Sequence, residues 1–149
     1  MGEEILIADI QRVFTPSDEK RHIGFEFEVK RQYKYLKINY AYSPKDFTDD
    51  ARSAELLFDC AQKSLVDVGG IHFKNALPFK NLLTLSVDSP SMTLGCAHRH
   101  DNDIEIMIGA ASSCGFLPAR IETGVWTAVV STHCVLSVVT ARITVRGGI

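Results

Sequence analysis

The chain has 149 residues and a mass of 16.5 kDa, which fits a single domain with its own hydrophobic core. Hydrophobic residues make up 46% of the sequence and charged residues 23%, a composition that excludes a disordered or low-complexity protein. The formal net charge of -2 excludes the overall basic character of nucleic-acid-binding and membrane-surface proteins. The N-terminal stretch MGEEILIADIQRVF lacks the pattern of a secretory signal, so we expect a cytoplasmic protein.

Alternation of apolar and polar residues predicts about eight half-buried strands along the chain. In chain order, the runs are EILIADI, GFEFEVK, YLKINYAY, NLLTLSV, SMTLGCA, DIEIMIG, GVWTAVVS and CVLSVVTARITV. The alternation also assigns faces, because successive strand residues point to opposite sides of a sheet. Phe25, Phe27 and Val29 should share one face, and Glu26 and Glu28 the other.

One segment departs from this pattern. The stretch DDARSAELLFDCAQKSLV has apolar residues at helical spacing: Ala54, Leu57, Phe58, Ala61 and Leu65. Thr48, Asp49 or Asp50 can cap its start, and the pair Gly69 and Gly70 can end it. The sequence therefore predicts one inserted α-helix near residues 50–65, which would cover an edge or end of a β-structure.

Strands with one helix inserted do not follow the alternating order of an α/β protein. We therefore expect an all-β fold, a two-sheet antiparallel β-sandwich of jelly-roll type, formed by residues 1–149 as a single domain. The segments YSPKD, VDSPS and GFLPARIETG supply proline, glycine and aspartate where strands should reverse. A hairpin or crossover is expected in the last of these, just before Trp126.

The stretch GCAHRHDND carries the strongest chemical signal. If the preceding strand continues, Cys96, His98 and His100 share a face, and the two histidine Cα atoms lie about 6.6 Å apart. His98, His100 and Asp101 could then ligate a divalent metal, with Asp103 completing the site. The alternative is a polar loop whose side chains satisfy backbone groups or contact a ligand. The residues of that loop are Cys96, His98, Arg99, His100, Asp101 and Asp103.

The cysteines and aromatic residues give weaker signals. Cys60, Cys96, Cys114 and Cys134 contain no C-x-x-C pair, so we expect free buried thiols. Trp126 stands in an apolar alternating run and should belong to the core. Tyr33 and Tyr35 stand among basic residues and are candidates for an exposed face.

Several segments together resemble a known family. They are FEFEV, INYAYSP, KNLLTLSVDSP, GCAHRHDN, CGFLPARIETGVWTAVVSTH and ARITV. They resemble the β-sandwich domain at the N-terminus of some bacterial PHP-type metal-dependent phosphoesterases, which also occurs as a free-standing protein. The resemblance is most specific at Gly115 to Pro118 and at Gly124 to Trp126. It implies a non-catalytic accessory sandwich, because the phosphoesterase centre of those relatives belongs to the following domain.

Three functions remain open from the sequence. The first is a non-catalytic binding module that recognises a small ligand, a glycan or a protein through the loop face around residues 96–103 and 112–122. The second is a small metal-dependent hydrolase with His98, His100 and Asp101 as ligands and Asp103 or Glu105 as general base. The third is a structural subunit that pairs with itself, as a homodimer, or with a separate enzyme. No cofactor is expected beyond a divalent metal, and neither a nucleic acid nor a membrane is an expected partner.

Overall fold

The computed structural model describes residues 2–47, 52, 55, 79–97 and 103–149. Among these residues, ten strands and one 3-10 turn, Pro16–Asp18, follow one another in the chain. The strands are β1 Glu4–Phe14, β2 His22–Val29, β3 Tyr35–Ser43, β4 Asp46–Phe47, β5 Phe79–Lys80, β6 Leu82–Asp88, β7 Thr93–Ala97, β8 Asp103–Gly109, β9 Gly124–Cys134 and β10 Val139–Gly148. No helix in the described part of the chain is long and apolar enough to cross a membrane.

The eight longer strands form two four-stranded antiparallel sheets. Sheet A has the order β1-β10-β3-β8, and sheet B has the order β2-β9-β6-β7. Strands β4 and β5 form a separate two-stranded ribbon. Because the chain crosses repeatedly between the sheets in this order, the arrangement is that of a jelly roll with two Greek keys. The expected all-β sandwich of jelly-roll type is confirmed.

The core lies between the two sheets and is built by the alternation seen in the sequence. Sheet A contributes Leu36, Ile38, Tyr40 and Tyr42 from β3, and Ile104, Ile106 and Ile108 from β8. Sheet B contributes Leu83, Leu85 and Val87 from β6, and Trp126, Ala128 and Val130 from β9. The ring of Phe27 stacks on that of Trp126, with centroids 6.3 Å apart. Trp126 is fully buried, so its predicted place in the core is confirmed.

Every predicted strand is present, with differences at the ends. β1 extends to Phe14, and the last predicted run divides at residues 135–138, so that β10 begins at Val139. The helix predicted near residues 50–65 falls almost wholly outside the described residues. Only Arg52 and Glu55 are described there; both are helical and form an ion pair of 2.8 Å. Apart from these two positions, the predicted helix lies outside the described residues.

Candidate functional site

The predicted site residues divide between the two sheets. Cys96 lies half-buried in β7 of sheet B, whereas Asp103 is exposed at the first position of β8 in sheet A. His98, Arg99, His100 and Asp101 lie outside the described residues. In the described part of the chain, no three histidine, cysteine, aspartate or glutamate side chains are grouped so that they could hold a metal ion.

The connection from β8 to β9, residues 110–123, is fixed to both edge strands of the sandwich. The Ser113 amide donates to the carbonyl of Met107 in β8 at 2.9 Å. On the opposite side, the Leu117 amide donates to the carbonyl of Leu94 in β7 at 2.8 Å, and the Cys96 amide donates to the Gly115 carbonyl at 3.3 Å. This crossover therefore closes the open side of the sandwich between β7 and β8 and brings Gly115 beside Cys96.

Two glycines make this close approach feasible. Gly95 has φ +154°, and a Cβ at this position would overlap the carbonyl of Gly115. Gly115 itself has φ +92°, in the region where a side chain is unfavourable. The other end of the crossover is held by Trp126, whose indole N–H donates to the Glu122 carbonyl at 2.9 Å. The carboxylate of Glu122 accepts a hydrogen bond from the Ser91 hydroxyl at 2.6 Å.

This end of the sandwich exposes apolar side chains. Met92, Leu117 and Val125 are each 51% exposed. Met92 lies in the turn between β6 and β7, two residues before Leu94, to which Leu117 is hydrogen-bonded. Val125 follows Gly124, where an added Cβ would lie 3.1 Å from the ring of Pro90 in the same turn. We call Met92, Leu117 and Val125 the apolar end.

The described cysteines are not buried as expected. Cys96 and Cys114 are free thiols, and Cys114 is exposed on the crossover. Cys134 is half-buried at the end of β9, and Cys60 lies outside the described residues. Cys96 and Cys114 are thus not fully buried, because β7 and the crossover lie at the edge of the sandwich.

A second polar group lies on the outer face of sheet B, near the far end of β9. His22 Nδ1 is 2.7 Å from Ser131 Oγ, and His133 Nε2 is 2.8 Å from Thr84 Oγ1. Thr84 and Ser131 are directly paired between β6 and β9, so the two imidazole–hydroxyl pairs lie side by side. Thr84 is 3% exposed and Ser131 9%, whereas both histidines are exposed.

The sequence did not nominate this histidine–hydroxyl cluster, because its members are far apart in the chain. His22 and Ser131 are separated by 109 residues and meet only through the pairing of β2 with β9. A local signal was nevertheless present: Lys20, Arg21 and His22 form a basic triplet that leads into β2. The triplet lines a surface depression together with Ser131, Thr132 and His133.

Several charged side chains on the outer face of sheet A pair with one another. Glu4 on β1 accepts hydrogen bonds from Lys37 Nζ at 2.7 Å and from the Tyr35 hydroxyl at 2.9 Å. The hydrogen bond from Lys37 and, to a smaller extent, that from Tyr35 lower the pKa of Glu4 below its ordinary value of 4.5. The same bonds raise the pKa of Lys37 and of Tyr35. The bidentate contact from Arg142 lowers the pKa of Asp9 in the same way.

Tyr33 and Tyr35 have a structural use. Both are half-buried, and their rings occupy the space that a Cβ would fill at Gly147 and at Gly148 respectively. The rings thus cover a glycine pair in the neighbouring strand β10, which is the known way to protect glycine within a sheet. They are not the free aromatic face suggested by their basic neighbours.

No protein-family model matches the chain, and no curated protein matches it.

Proposed function

We propose that the protein is a non-catalytic binding module, an accessory β-sandwich that recognises its partner through the loop face around residues 96–103 and 112–122. Of the three kinds of partner considered from the sequence, a protein fits the described surface best. The observation that carries the proposal is the apolar end, where three half-exposed apolar side chains stand on and beside the crossover.

The crossover is organised before any partner binds. Its backbone is hydrogen-bonded to β7 at Leu94 and to β8 at Met107 and Gly109, and Trp126 holds its last turn. A loop held in this way loses little conformational entropy when it binds, which favours affinity. Loops presented by a rigid scaffold are also the usual location of binding residues.

The chemistry of the apolar end is that of a protein interface. Exposed apolar side chains are typical of the centre of a protein interface. In such interfaces, polar side chains form a rim around the apolar centre. Arg120 and Glu122 follow Leu117 on the crossover and supply polar groups of this kind. The resemblance of the sequence to the accessory sandwich of PHP-type phosphoesterases supports the non-catalytic part of the proposal.

Site-specific photocrosslinking tests this function. A photoreactive residue replaces Leu117 in one variant and Val138 in another; Val138 is 58% exposed and follows the opposite end of β9. We expect a discrete crosslinked species in cells from position 117, and its loss when Met92→Asp is added. Equal crosslinking from the two positions, or none from position 117, would contradict the proposal.

The same variant identifies a homodimer. If purified protein with the photoreactive residue at position 117 crosslinks to itself at the yield seen in cells, the partner is a second copy of the chain. If the species forms only in cells, mass spectrometry of the excised band identifies the partner.

A further inference from the structure

The depression beside the histidine–hydroxyl cluster has a volume of about 380 Å³. It is lined by Lys20, Arg21, His22, Ser131, Thr132 and His133. Four of these six side chains are basic and none is acidic. We propose that this basic depression binds the phosphate group of a small phosphomonoester.

Lys20 and Arg21 carry the positive charge of the depression, and the two carboxylates beside them in the chain bind backbone amides instead of these cations. Asp18 and Glu19 precede Lys20 directly, but both carboxylates accept hydrogen bonds from backbone amides. Asp18 Oδ2 lies 2.8 Å from the Thr15 amide, and Glu19 Oε1 lies 3.2 Å from the Val135 amide. Among the described residues, Lys20 and Arg21 form no ion pair. Cationic side chains without an ion-pair partner remain able to form charge-assisted hydrogen bonds to an anion.

The two imidazoles are oriented by buried hydroxyls. Ser131 binds Nδ1 of His22 and Thr84 binds Nε2 of His133, so each ring has its second nitrogen available to a ligand. A hydroxyl can donate or accept, and therefore it supports an imidazole that donates an N–H to a phosphate oxygen. Side chains held in this way need little reorganisation when an anion binds.

The backbone beneath the cations is held in an unusual conformation. Lys20 has φ 59°, the left-handed region that glycine adopts at less cost than lysine. The Lys20 amide donates to the carbonyl of Thr132 at 2.5 Å, and the Thr132 amide donates to the Arg21 carbonyl at 2.9 Å. A conformational cost that persists because the surrounding structure enforces it is typical of functional positions. Here Lys20 lines the depression from this conformation.

The dimensions of the depression favour an esterified phosphate. Its volume lies within the range of small-molecule sites, roughly 300–1,000 Å³, which leaves room for an organic group beside the phosphate. The basic depression and the apolar end adjoin opposite ends of β9, a strand of 11 residues that spans roughly 33 Å. The inference is therefore independent of the proposed protein partner.

Isothermal titration at constant ionic strength tests the inference, with glycerol 3-phosphate and inorganic phosphate as separate probes. We expect glycerol 3-phosphate to bind and Arg21→Gln to weaken its binding about tenfold or more, the usual effect of losing a charged hydrogen bond. Lys30→Gln removes an exposed cation beyond the other end of β2, and this variant should bind glycerol 3-phosphate with wild-type affinity. No binding at millimolar glycerol 3-phosphate, or equal loss in both variants, would overturn the proposal. If inorganic phosphate bound as tightly as glycerol 3-phosphate, the proposed preference for a phosphomonoester would be overturned.

Lys20→Gly separates binding from folding. Because glycine tolerates the left-handed backbone, the melting temperature of the unliganded variant should equal or exceed that of the wild type. Its affinity for glycerol 3-phosphate should nevertheless fall several-fold. Wild-type affinity in this variant, or a lower melting temperature, would contradict the role given to Lys20.

Discussion

At the scale of single residues, Asn81 shows how a buried polar side chain joins separate loops. It is 1% exposed, and Nδ2 donates to the Pro44 carbonyl at 3.0 Å and to Ser137 Oγ at 2.9 Å. Its Oδ1 accepts a hydrogen bond from the Leu136 amide at 2.7 Å. One side chain thus connects the turn after β3 with the turn between β9 and β10. A buried amide is tolerated there because each of its polar atoms has a partner.

Asn81→Ala should lower the free energy of unfolding by about 2–4 kcal/mol, because the partly buried amide of Leu136 loses its acceptor and the side-chain hydrogen bonds to two turns are lost. Urea denaturation followed by circular dichroism measures the change. The control is Asn39→Ala on the outer face of sheet A, where the expected change is within about 0.5 kcal/mol. Similar losses in the two variants would show that the hydrogen bonds of Asn81 contribute no specific stability.

At the scale of secondary-structure elements, three hydrogen-bonded polar side chains extend across three strands of sheet A. We call this group, Glu4, Tyr35 and Lys37, the polar strap. Glu4 lies in β1, and its partners Tyr35 and Lys37 lie in β3, with Gly148 of β10 between them. The contact is feasible only because Gly148 has no side chain and leaves room for the Tyr35 ring. The strap therefore joins the edge strand β1 to a strand that it does not pair with.

The strap makes the stability of the fold pH-dependent. The pKa of Glu4 is lower in the folded protein than its ordinary value of 4.5, so its contribution is present above that pH and is lost as the pH falls through the folded value. Wild-type protein should be more stable than Glu4→Gln at pH 7, and the difference should decrease as the pH falls below 4.5. Thermal unfolding at several pH values measures this difference, with Glu28→Gln at an exposed site as the control. A Glu4→Gln deficit that stays constant down to pH 2, or a control that behaves like Glu4→Gln, would refute the assignment.

At the scale of the whole molecule, the two sheets share one core. Ile106 in sheet A is 1% exposed, and Trp126 in sheet B is fully buried against Phe27. A single core of this kind should unfold cooperatively as one domain. Since Trp126 is the chain's one tryptophan, its fluorescence reports on the surroundings of β9 within this core.

Ile106→Ala should lower the free energy of unfolding by about 2–5 kcal/mol, because it removes buried apolar atoms and leaves a cavity. If the chain is one cooperative domain, the unfolding midpoint reported by Trp126 fluorescence moves as far as the midpoint reported by circular dichroism. Glu105→Ala, at an exposed neighbouring position on the same strand, should change the free energy of unfolding by no more than about 0.5 kcal/mol by either probe. A Trp126 transition that does not move would show that the sheets unfold independently.

The strands and the composition of the core were predictable from the sequence alone. The alternation in YLKINYAY placed Leu36, Ile38, Tyr40 and Tyr42 on one face, and all four are buried. This succeeds because the two-residue period of a strand is a local property of the backbone. The burial of Trp126 followed from the same pattern.

Only the tertiary structure decided which side chains meet. Cys96 and Asp103 are near in sequence but lie in different sheets, whereas His22 and Ser131 are 109 residues apart and in contact. The exposure of Cys114 and the packing of Tyr33 and Tyr35 over the glycines of β10 also depend on distant strands. Local periodicity indicates which face of a strand is buried, but it does not indicate which strands pair with one another. That pairing is determined by the joint burial of all the apolar faces, and it creates both the apolar end and the basic depression.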